Sequence, residues 1–169
     1  AITAEIRHLT INNTGGSNGA SFGVYTNGVV DGSFSMLHVT ATATGSTNSY
    51  GVFNSSSSPT MNNVTATATG GSNLNYGVFN RDSSSPTMTN VTATATGGIF
   101  SYGVYNSSSS PTIRNSSITG STNSIFNSNT SSAQVADTAL GGAVVGSGFT
   151  CVGVYDTDFV AANGSCVTP

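Results

Sequence analysis

The sequence predicts an all-β solenoid, a single-stranded parallel β-helix of about five full coils with three short strands in each coil. A Gly-Val motif followed by an aromatic residue recurs in most copies, and the marks are spaced by 28, 26, 26, 21 and 29 residues. A repeat of roughly 20 to 50 residues is typical of solenoids. The repeat is rich in Thr, Val, Tyr, Phe, Asn and Gly, which favours strands and turns over helices. Within Val64–Thr69 apolar and hydroxyl residues alternate strictly, as they do in a half-buried strand.

Three columns of aligned apolar residues predict which side of each strand faces the core. Ile11, Ile118 and Leu140 align with Ala66, so this position points inward and the neighbouring threonines point outward. The second inward column is Ile6, Met36, Met61, Met88, Ile113 and Val135. The third inward column is Val24, Val52, Val78, Val104, Ile125 and Val154.

Three kinds of corner join the predicted strands. A serine corner such as Ser55–Ser58 and a glycine-rich corner such as Gly70–Asn75 are the longer two. The short corner carries His8, His38, Asn63, Asn90, Asn115 and Asp137. Asn takes the left-handed backbone conformation more readily than most residues, and stacked copies can bond to one another. We therefore expect an asparagine ladder through His8, His38, Asn63, Asn90 and Asn115.

The coil resembles the right-handed parallel β-helix of the pectate-lyase-like superfamily, and it looks closest to secreted bacterial proteins with tandem repeats of this type. The residues that carry the resemblance are the Gly-Val-Tyr-Asn motif of Gly103–Asn106 and the Ser-Pro-Thr-Ile block of Ser110–Ile113. The resemblance covers Ile6 to about Tyr155 and implies a right-handed helix, the hand that parallel crossovers generally take. We predict one domain over residues 1–169, with coils of 21–29 residues over about 6–155 and a C-terminal cap segment over 146–169.

Two cysteines, Cys151 and Cys166, lie near one end of the chain. A disulfide closing this loop would stabilise the fold by roughly 3 kcal/mol, and it would favour an exported protein. The alternatives are two free thiols or half of a metal site, but no His lies nearby in the sequence to complete such a site. The chain opens without a charged or long apolar leader, as expected of a mature secreted or cell-surface protein.

Charge is scarce, and this excludes several partners. Charged residues make up 5% of the chain, with three Arg, no Lys and a net charge of −3. Binding to nucleic acid needs Lys and Arg side chains, which are scarce here.

No apolar stretch reaches the ~18 residues needed to span a membrane.

The most distinctive candidate surface is an outward array of hydroxyl side chains. Neighbouring coils of a β-helix lie about 4.8 Å apart, and alternate residues along a strand about 6.7 Å apart, so such an array forms a flat lattice. Ranks of Thr on a flat solenoid face resemble the ice-binding surfaces of several antifreeze proteins. The alternative is that Thr simply suits an exposed strand and was copied by repeat duplication. The array comprises Thr40, Thr42, Thr44, Thr65, Thr67, Thr69, Thr92, Thr94, Thr96, Ser117, Thr119 and Ser121.

A second candidate is an aromatic column that follows the third inward column by one residue. Simple alternation places this column outside, where it could stack on sugar rings or on another chain. The same alternation places the neighbouring Phe22, Tyr50, Tyr76 and Tyr102 inside, and one local bulge would reverse the pair. The predicted outer column is Tyr25, Phe53, Phe79, Tyr105, Phe126 and Tyr155.

Catalytic groups do not cluster in the sequence. Asp31, Asp82 and Asp137 fall in three different coils at non-equivalent positions, whereas proton abstraction and glycoside hydrolysis need grouped acids and bases. Asp156 and Asp158 are two residues apart, but their segment offers few further oxygens for a cation. We therefore predict no catalytic residue, no metal site and no cofactor.

These observations favour a non-catalytic extracellular structural or adhesive protein that presents regular solenoid faces. No amphipathic helix precedes the first coil, so we expect that copies can stack end to end into fibres. One alternative is an ice-binding protein that uses the Thr array. A second alternative is a β-helix that binds or cleaves polysaccharide.

Overall fold

The protein is a parallel β-solenoid of about five turns. The computed structural model describes residues 4–15, 19–29, 34–45 and 47–167, and within these ranges the chain forms 17 strands and no helix. The strands of neighbouring coils pair in parallel, each with its counterpart in the next coil. This stacking satisfies the backbone hydrogen bonds of one coil with those of the next, which is why short strands suffice. The predicted fold class is confirmed.

The strands form two sheets, one of 11 strands and one of six. The larger sheet contains β1 (Ala4–Asn13), β3 (Phe34–Thr44), β5 (Thr60–Thr69), β7 (Thr87–Thr89), β8 (Thr92–Thr96), β10 (Thr112–Arg114), β11 (Ser117–Gly120), β13 (Ala133–Ala136), β14 (Ala139–Leu140), β16 (Phe149–Val152) and β17 (Tyr155–Asp156). The smaller sheet contains β2 (Ala20–Asn27), β4 (Asn48–Ser55), β6 (Leu74–Arg81), β9 (Phe100–Ser107), β12 (Asn123–Ser128) and β15 (Val144–Val145).

The larger sheet bends at the short corner into two faces. We call the part before the corner, which includes β7, β10, β13 and β16, the methionine face. The part after it, which includes β8, β11, β14 and β17, is the threonine face, and the six-stranded sheet is the aromatic face. Each corner residue has a positive φ of 47° to 54°, the left-handed conformation expected there. The corner residues are His8, His38, Asn63, Asn90, Asn115 and Asp137.

The core is built from stacked apolar columns. Met61, Ala66 and Val78 are each 0% exposed, and their counterparts in the neighbouring coils are buried with them. Each apolar side chain thus packs between its copies above and below, and this removes it from water without large cavities. The inward positions of the repeats follow the sequence prediction through Ile125.

The last coil departs from the predicted register. Ile125 pairs with Val144, 19 residues later, and not with Val154. Val154 is buried, but it lies in the column of Val64, because the next residue, Tyr155, pairs with Ala139 on the threonine face. Gly153 has a φ of 62° and occupies the short corner beside Asp137. The Val152–Tyr155 sequence therefore imitates the repeat motif while lying at a different place in the coil.

The asparagine ladder runs through a different column from the one predicted. The side chains of Asn63, Asn90 and Asn115 are exposed, and they form no side-chain ladder in the described residues. The hydrogen-bonded ladder lies in the buried end of the aromatic face, where each amide Nδ2 donates to the Oδ1 of the next coil at 2.8–2.9 Å. Its members are Asn54, Asn80, Asn106 and Asn127, with Thr26 donating to Asn54 at the first coil. The prediction was wrong because a left-handed corner residue points its side chain away from the core.

Cys151 and Cys166 form a disulfide, as predicted, with their Cα atoms 5.4 Å apart. Cys151 stands at the end of the methionine column, where it pairs with Val135. The segment from 157 to 167 folds back over this last coil. No helix long and apolar enough to cross a membrane occurs in the described residues.

Candidate functional site

The hydroxyl array lies on the outer side of the threonine face in unbroken register. The first rank pairs Thr40 with Thr65, then Thr92 and Ser117, and the second rank pairs Thr42 with Thr67 in the same way. The third rank joins Thr44, Thr69 and Thr96, and Ser121 follows through its backbone bond to Ala95. Alternate residues of β3, β5 and β8 are buried alanines, and those of β11 are the buried Ile118 and Gly120, so the flat face follows from the alternation of hydroxyl and inward residues.

The side chains of the array are half-buried or exposed, and no charged residue lies among them. Each threonine offers one hydroxyl and one methyl group at about the 4.8 Å spacing of neighbouring coils. The array ends where Gly141 folds over Thr119, because even a methyl group on Gly141 would lie 2.5 Å from the Thr119 hydroxyl oxygen. The surface is therefore neutral and regular from Thr40 to Ser121, and the first coil continues its first two ranks with Thr10 and Asn12.

Both aromatic columns lie on the outer side of the aromatic face. A Cβ atom on Gly51 would lie 2.7 Å from the backbone nitrogen of Thr67, so Gly51 points inward against the threonine face. The next residue, Val52, is fully buried and also points inward. Two consecutive inward residues form a bulge, so Tyr50 and Phe53 both face outward. The expectation that the column of Phe22, Tyr50, Tyr76 and Tyr102 lies inside is therefore wrong.

The aromatic rings stack on one another along the helix axis. Phe53 lies 5.0 Å from Tyr25 and 5.0 Å from Phe79, with interplanar angles of 12° and 9°. The second column stacks similarly, with Tyr50 and Tyr76 at 5.2 Å. The Phe53 ring is thus sandwiched between two parallel neighbours, so both of its faces are covered. Between Phe79 and Tyr105 the contact turns edge-to-face, with centroids 5.2 Å apart and an interplanar angle of 81°. At the first coil Tyr25 remains 51% exposed.

This stacking also changes the chemistry of the tyrosines. Burial, and then the neighbouring tyrosines, raise the pKa of Tyr76 well above its usual range. Burial raises the pKa of Tyr50, an effect that Arg81 partly offsets, and burial raises that of Tyr102. The Arg81 guanidinium lies 5.3 Å from the centre of the Phe53 ring and forms an ion pair with Asp82 at 2.7 Å. The phenols therefore remain neutral in ordinary buffers.

Tyr155 does not belong to the aromatic column. It pairs with Ala139, which places it on the threonine face beyond the end of the hydroxyl array, and its ring stacks on Phe159 at 5.6 Å. The residue that follows Phe126 in the aromatic face is Val145. The prediction for Tyr155 was wrong for the same reason as that for Val154, because the coil between Ile125 and Val144 is shorter than the repeat.

The acidic residues are dispersed in the part of the chain that the structure describes. Asp82 is paired with Arg81, and Asp156 accepts backbone hydrogen bonds from Asp158 and Val160, which closes a turn. Two open grooves of about 450 and 480 Å³ flank the short corner, and both contain Asp137. Asp31 lies outside the described residues.

His8 and His38 lie at the short corner, where their rings stack with centroids 5.0 Å apart. No group of three or more His, Cys, Asp or Glu side chains in the described ranges is placed to hold a metal ion.

Sequence reasoning missed two features of this site. The buried ladder of Asn54 and Asn80 carries a signal, because an Asn follows the aromatic residue in each full repeat and is two residues from an inward Val. The bulge could also have been recognised from the sequence, because Gly precedes the inward Val in most copies and Gly in a strand marks close backbone approach.

No family model, no curated protein and no solved structure matches the chain.

Proposed function

We propose that this chain is a non-catalytic extracellular structural or adhesive protein that acts through its regular outer faces. We further propose that it is a secreted bacterial member of the pectate-lyase-like β-helix superfamily. The observation that carries the functional proposal is the register of the hydroxyl array, in which Thr67 is surrounded by equivalent residues in both directions. A disulfide is compatible with an extracellular location.

A flat lattice of hydroxyl and methyl groups suits an extended solid surface better than a small molecule. Each group contributes little, but twelve groups held in one plane by the rigid coils act together without further loss of conformational entropy. The absence of charge among the array residues makes such binding insensitive to salt. The stacked core keeps the face rigid before it binds.

Adsorption to insoluble hydroxylated solids tests this proposal. The wild-type chain and the variant Thr67→Tyr are incubated with microcrystalline cellulose and with hydroxylated silica, and the retained fraction is measured. Thr87→Tyr is the matched control, because Thr87 is exposed on the outer side of the methionine face. We expect Thr67→Tyr to lower retention several-fold and Thr87→Tyr to leave it unchanged. Equal retention of all three proteins would refute a role for the array.

Ice binding is the second candidate, and it is favoured by the same two-dimensional regularity. Thr42, Thr67 and Thr94 stand in consecutive coils at one position, so their methyl and hydroxyl groups repeat at the inter-coil distance. Thermal hysteresis of the wild-type chain, its loss in Thr67→Tyr and its retention in Thr87→Tyr would assign this activity. A wild-type chain without hysteresis ends this candidate.

Polysaccharide binding through the aromatic column receives less support. Stacking of sugars requires an accessible ring face, and both faces of the Phe53 ring are covered by its parallel neighbours Tyr25 and Phe79. The adsorption experiment also distinguishes binding through the aromatic column from binding through the hydroxyl array. If the hydroxyl array binds the solid, the variant Phe79→Leu should be retained as well as the wild-type chain.

A further inference from the structure

The C-terminal segment 157–167 closes the last coil of the solenoid. Ala162 donates its backbone N–H to the carbonyl of Val154 at 2.8 Å, and Cys151 donates to the carbonyl of Gly164 at 2.9 Å. Tyr155 and Ala161 form an antiparallel bridge. The segment, which we call the flap, thus occupies the strand edge on which a further parallel coil would pair.

The flap is attached by few apolar contacts. Ala162 and Cys166 pack against the core, whereas Phe159 is 82% exposed and Val167 is 53% exposed. Ordering a segment of this length is costly in conformational entropy, and so little burial offsets only part of that cost. The Cys151–Cys166 disulfide is the covalent bond that holds the flap on the edge, because it restricts the open conformations of the loop.

Two inner columns have apolar residues at both ends of the described solenoid. Cys151 ends the methionine column, and Ile6 begins it beside Met36. Val154 ends the column of Val39 and Val64, and Leu9 begins it beside Val39. Leu9 is 43% exposed, and in the described residues β1 pairs with β3 alone. A second copy placed below the last coil would therefore set Ile6 beside Cys151 and Leu9 beside Val154 in parallel register. The same register sets Ile11 beside Asp156, whose carboxylate caps the turn of residues 156–160.

We propose that the flap is a disulfide-held stop on end-to-end assembly, and that its release lets the edge of β16 and β17 pair with β1 of a second copy. Release requires a two-electron reduction. A dithiol reductant attacks the Cys151–Cys166 bond, leaves two cysteine thiols and becomes a cyclic disulfide itself. The contact is heterologous and does not close, so the product is a linear filament. This inference rests on the proposed structural role but does not use the hydroxyl array.

The experiment compares the full chain before and after treatment with dithiothreitol. Light scattering after size exclusion and electron microscopy report assembly, and hydrogen exchange reports the flap. We expect an oxidised monomer. After reduction, the amides of Ala162 and Cys151, which bond between the flap and the edge, should lose protection while those of β4 to β12 keep it, and filaments should grow with protein concentration. The double variant Cys151→Ala/Cys166→Ala should behave as the reduced chain without any reductant.

Two variants with the same added charge test the interface. Leu9→Glu places a carboxylate against Val154 of the neighbouring copy and should abolish filaments in the reduced state. Thr10→Glu places it on the outer side of the same strand and should allow them. The proposal is overturned if the flap opens on reduction but the chain stays monomeric, or if the oxidised chain assembles equally well. It is also overturned if reduction removes protection throughout β4 to β12. Adsorption of the oxidised monomer to hydroxylated solids tests the hydroxyl array separately. The failure of one proposal can therefore be distinguished from the failure of the other.

Discussion

Asn80 and Asn106 are separated by 26 residues, yet the amide Nδ2 of Asn80 donates a hydrogen bond to Oδ1 of Asn106 at 2.9 Å inside the protein. On the other side, Oδ1 of Asn80 accepts from Nδ2 of Asn54, also at 2.9 Å. All three side chains are fully buried. Because each amide is both donor and acceptor, one residue type repeated in every coil satisfies the column.

Removing one member should therefore leave two partners unsatisfied. We expect Asn80→Ala to lower the free energy of unfolding by roughly 3 kcal/mol, because Asn54 loses an acceptor and Asn106 loses a donor at full burial. Urea denaturation measures this loss. The matched control is Asn63→Gly at the exposed short corner, where the φ of 53° suits glycine and the change should be small. Equal losses in both variants would show that the buried ladder does not stabilise the fold.

Gly77 should tolerate no side chain. A Cβ atom there would lie 2.6 Å from the carbonyl oxygen of Gly103 and 2.9 Å from the backbone nitrogen of Thr94. Backbone atoms of two strands cannot both move away, so Gly77→Ala should destabilise the fold by about 3 kcal/mol, the upper end of overpacking effects. Thermal unfolding reports the change. Gly164→Ala is the control, because no atom lies within 4 Å of its Cβ position, and an equally low melting temperature there would contradict this account.

Val78→Asp should prevent folding, because it places an unpaired carboxylate in the middle of a column that is 0% exposed. Thr94→Asp, on the outer side of the threonine face, adds the same charge where water can solvate it. Circular dichroism of the two purified variants compares them. A Val78→Asp chain that is soluble and unfolds cooperatively would show that the inside and outside of the coil are assigned wrongly.

The stacked tyrosines predict a loss of stability in alkali. Burial, followed by the neighbouring tyrosines, raises the pKa of Tyr76 in the folded chain above the ordinary value of 10.0. Above pH 10 the unfolded chain releases the phenolic proton while the folded chain retains it, so unfolding becomes easier as the pH rises. We expect Tyr76 to cost about 1 kcal/mol of stability by pH 11.

Chemical denaturation at pH 8 and pH 11 measures this loss. The variant Tyr76→Phe should lose less stability between the two pH values than the wild-type chain. The same loss in Tyr76→Phe as in the wild-type chain would rule out Tyr76 as the source.

The amino-acid sequence by itself determined the fold and most of the core. Strand residues alternate between two sides with a period of two, and the repeats align apolar residues such as Met61 and Ala66 in every coil. The outward position of Thr67 follows from the same alternation. These properties are local and repetitive, so they can be counted along the chain. The disulfide of Cys151 and Cys166 was also predictable, since two cysteines have only one intramolecular pairing.

The tertiary structure decided the features that depend on a departure from the period. One inward glycine, Gly51, shifts the alternation by a single residue, and this places Tyr50 outside with Phe53. The left-handed backbone at Asn63 turns its side chain to solvent, so the ladder forms through Asn80 instead. A coil of 19 residues moves Tyr155 to another face, because the register is set by which backbone atoms meet across the stack and not by the sequence motif.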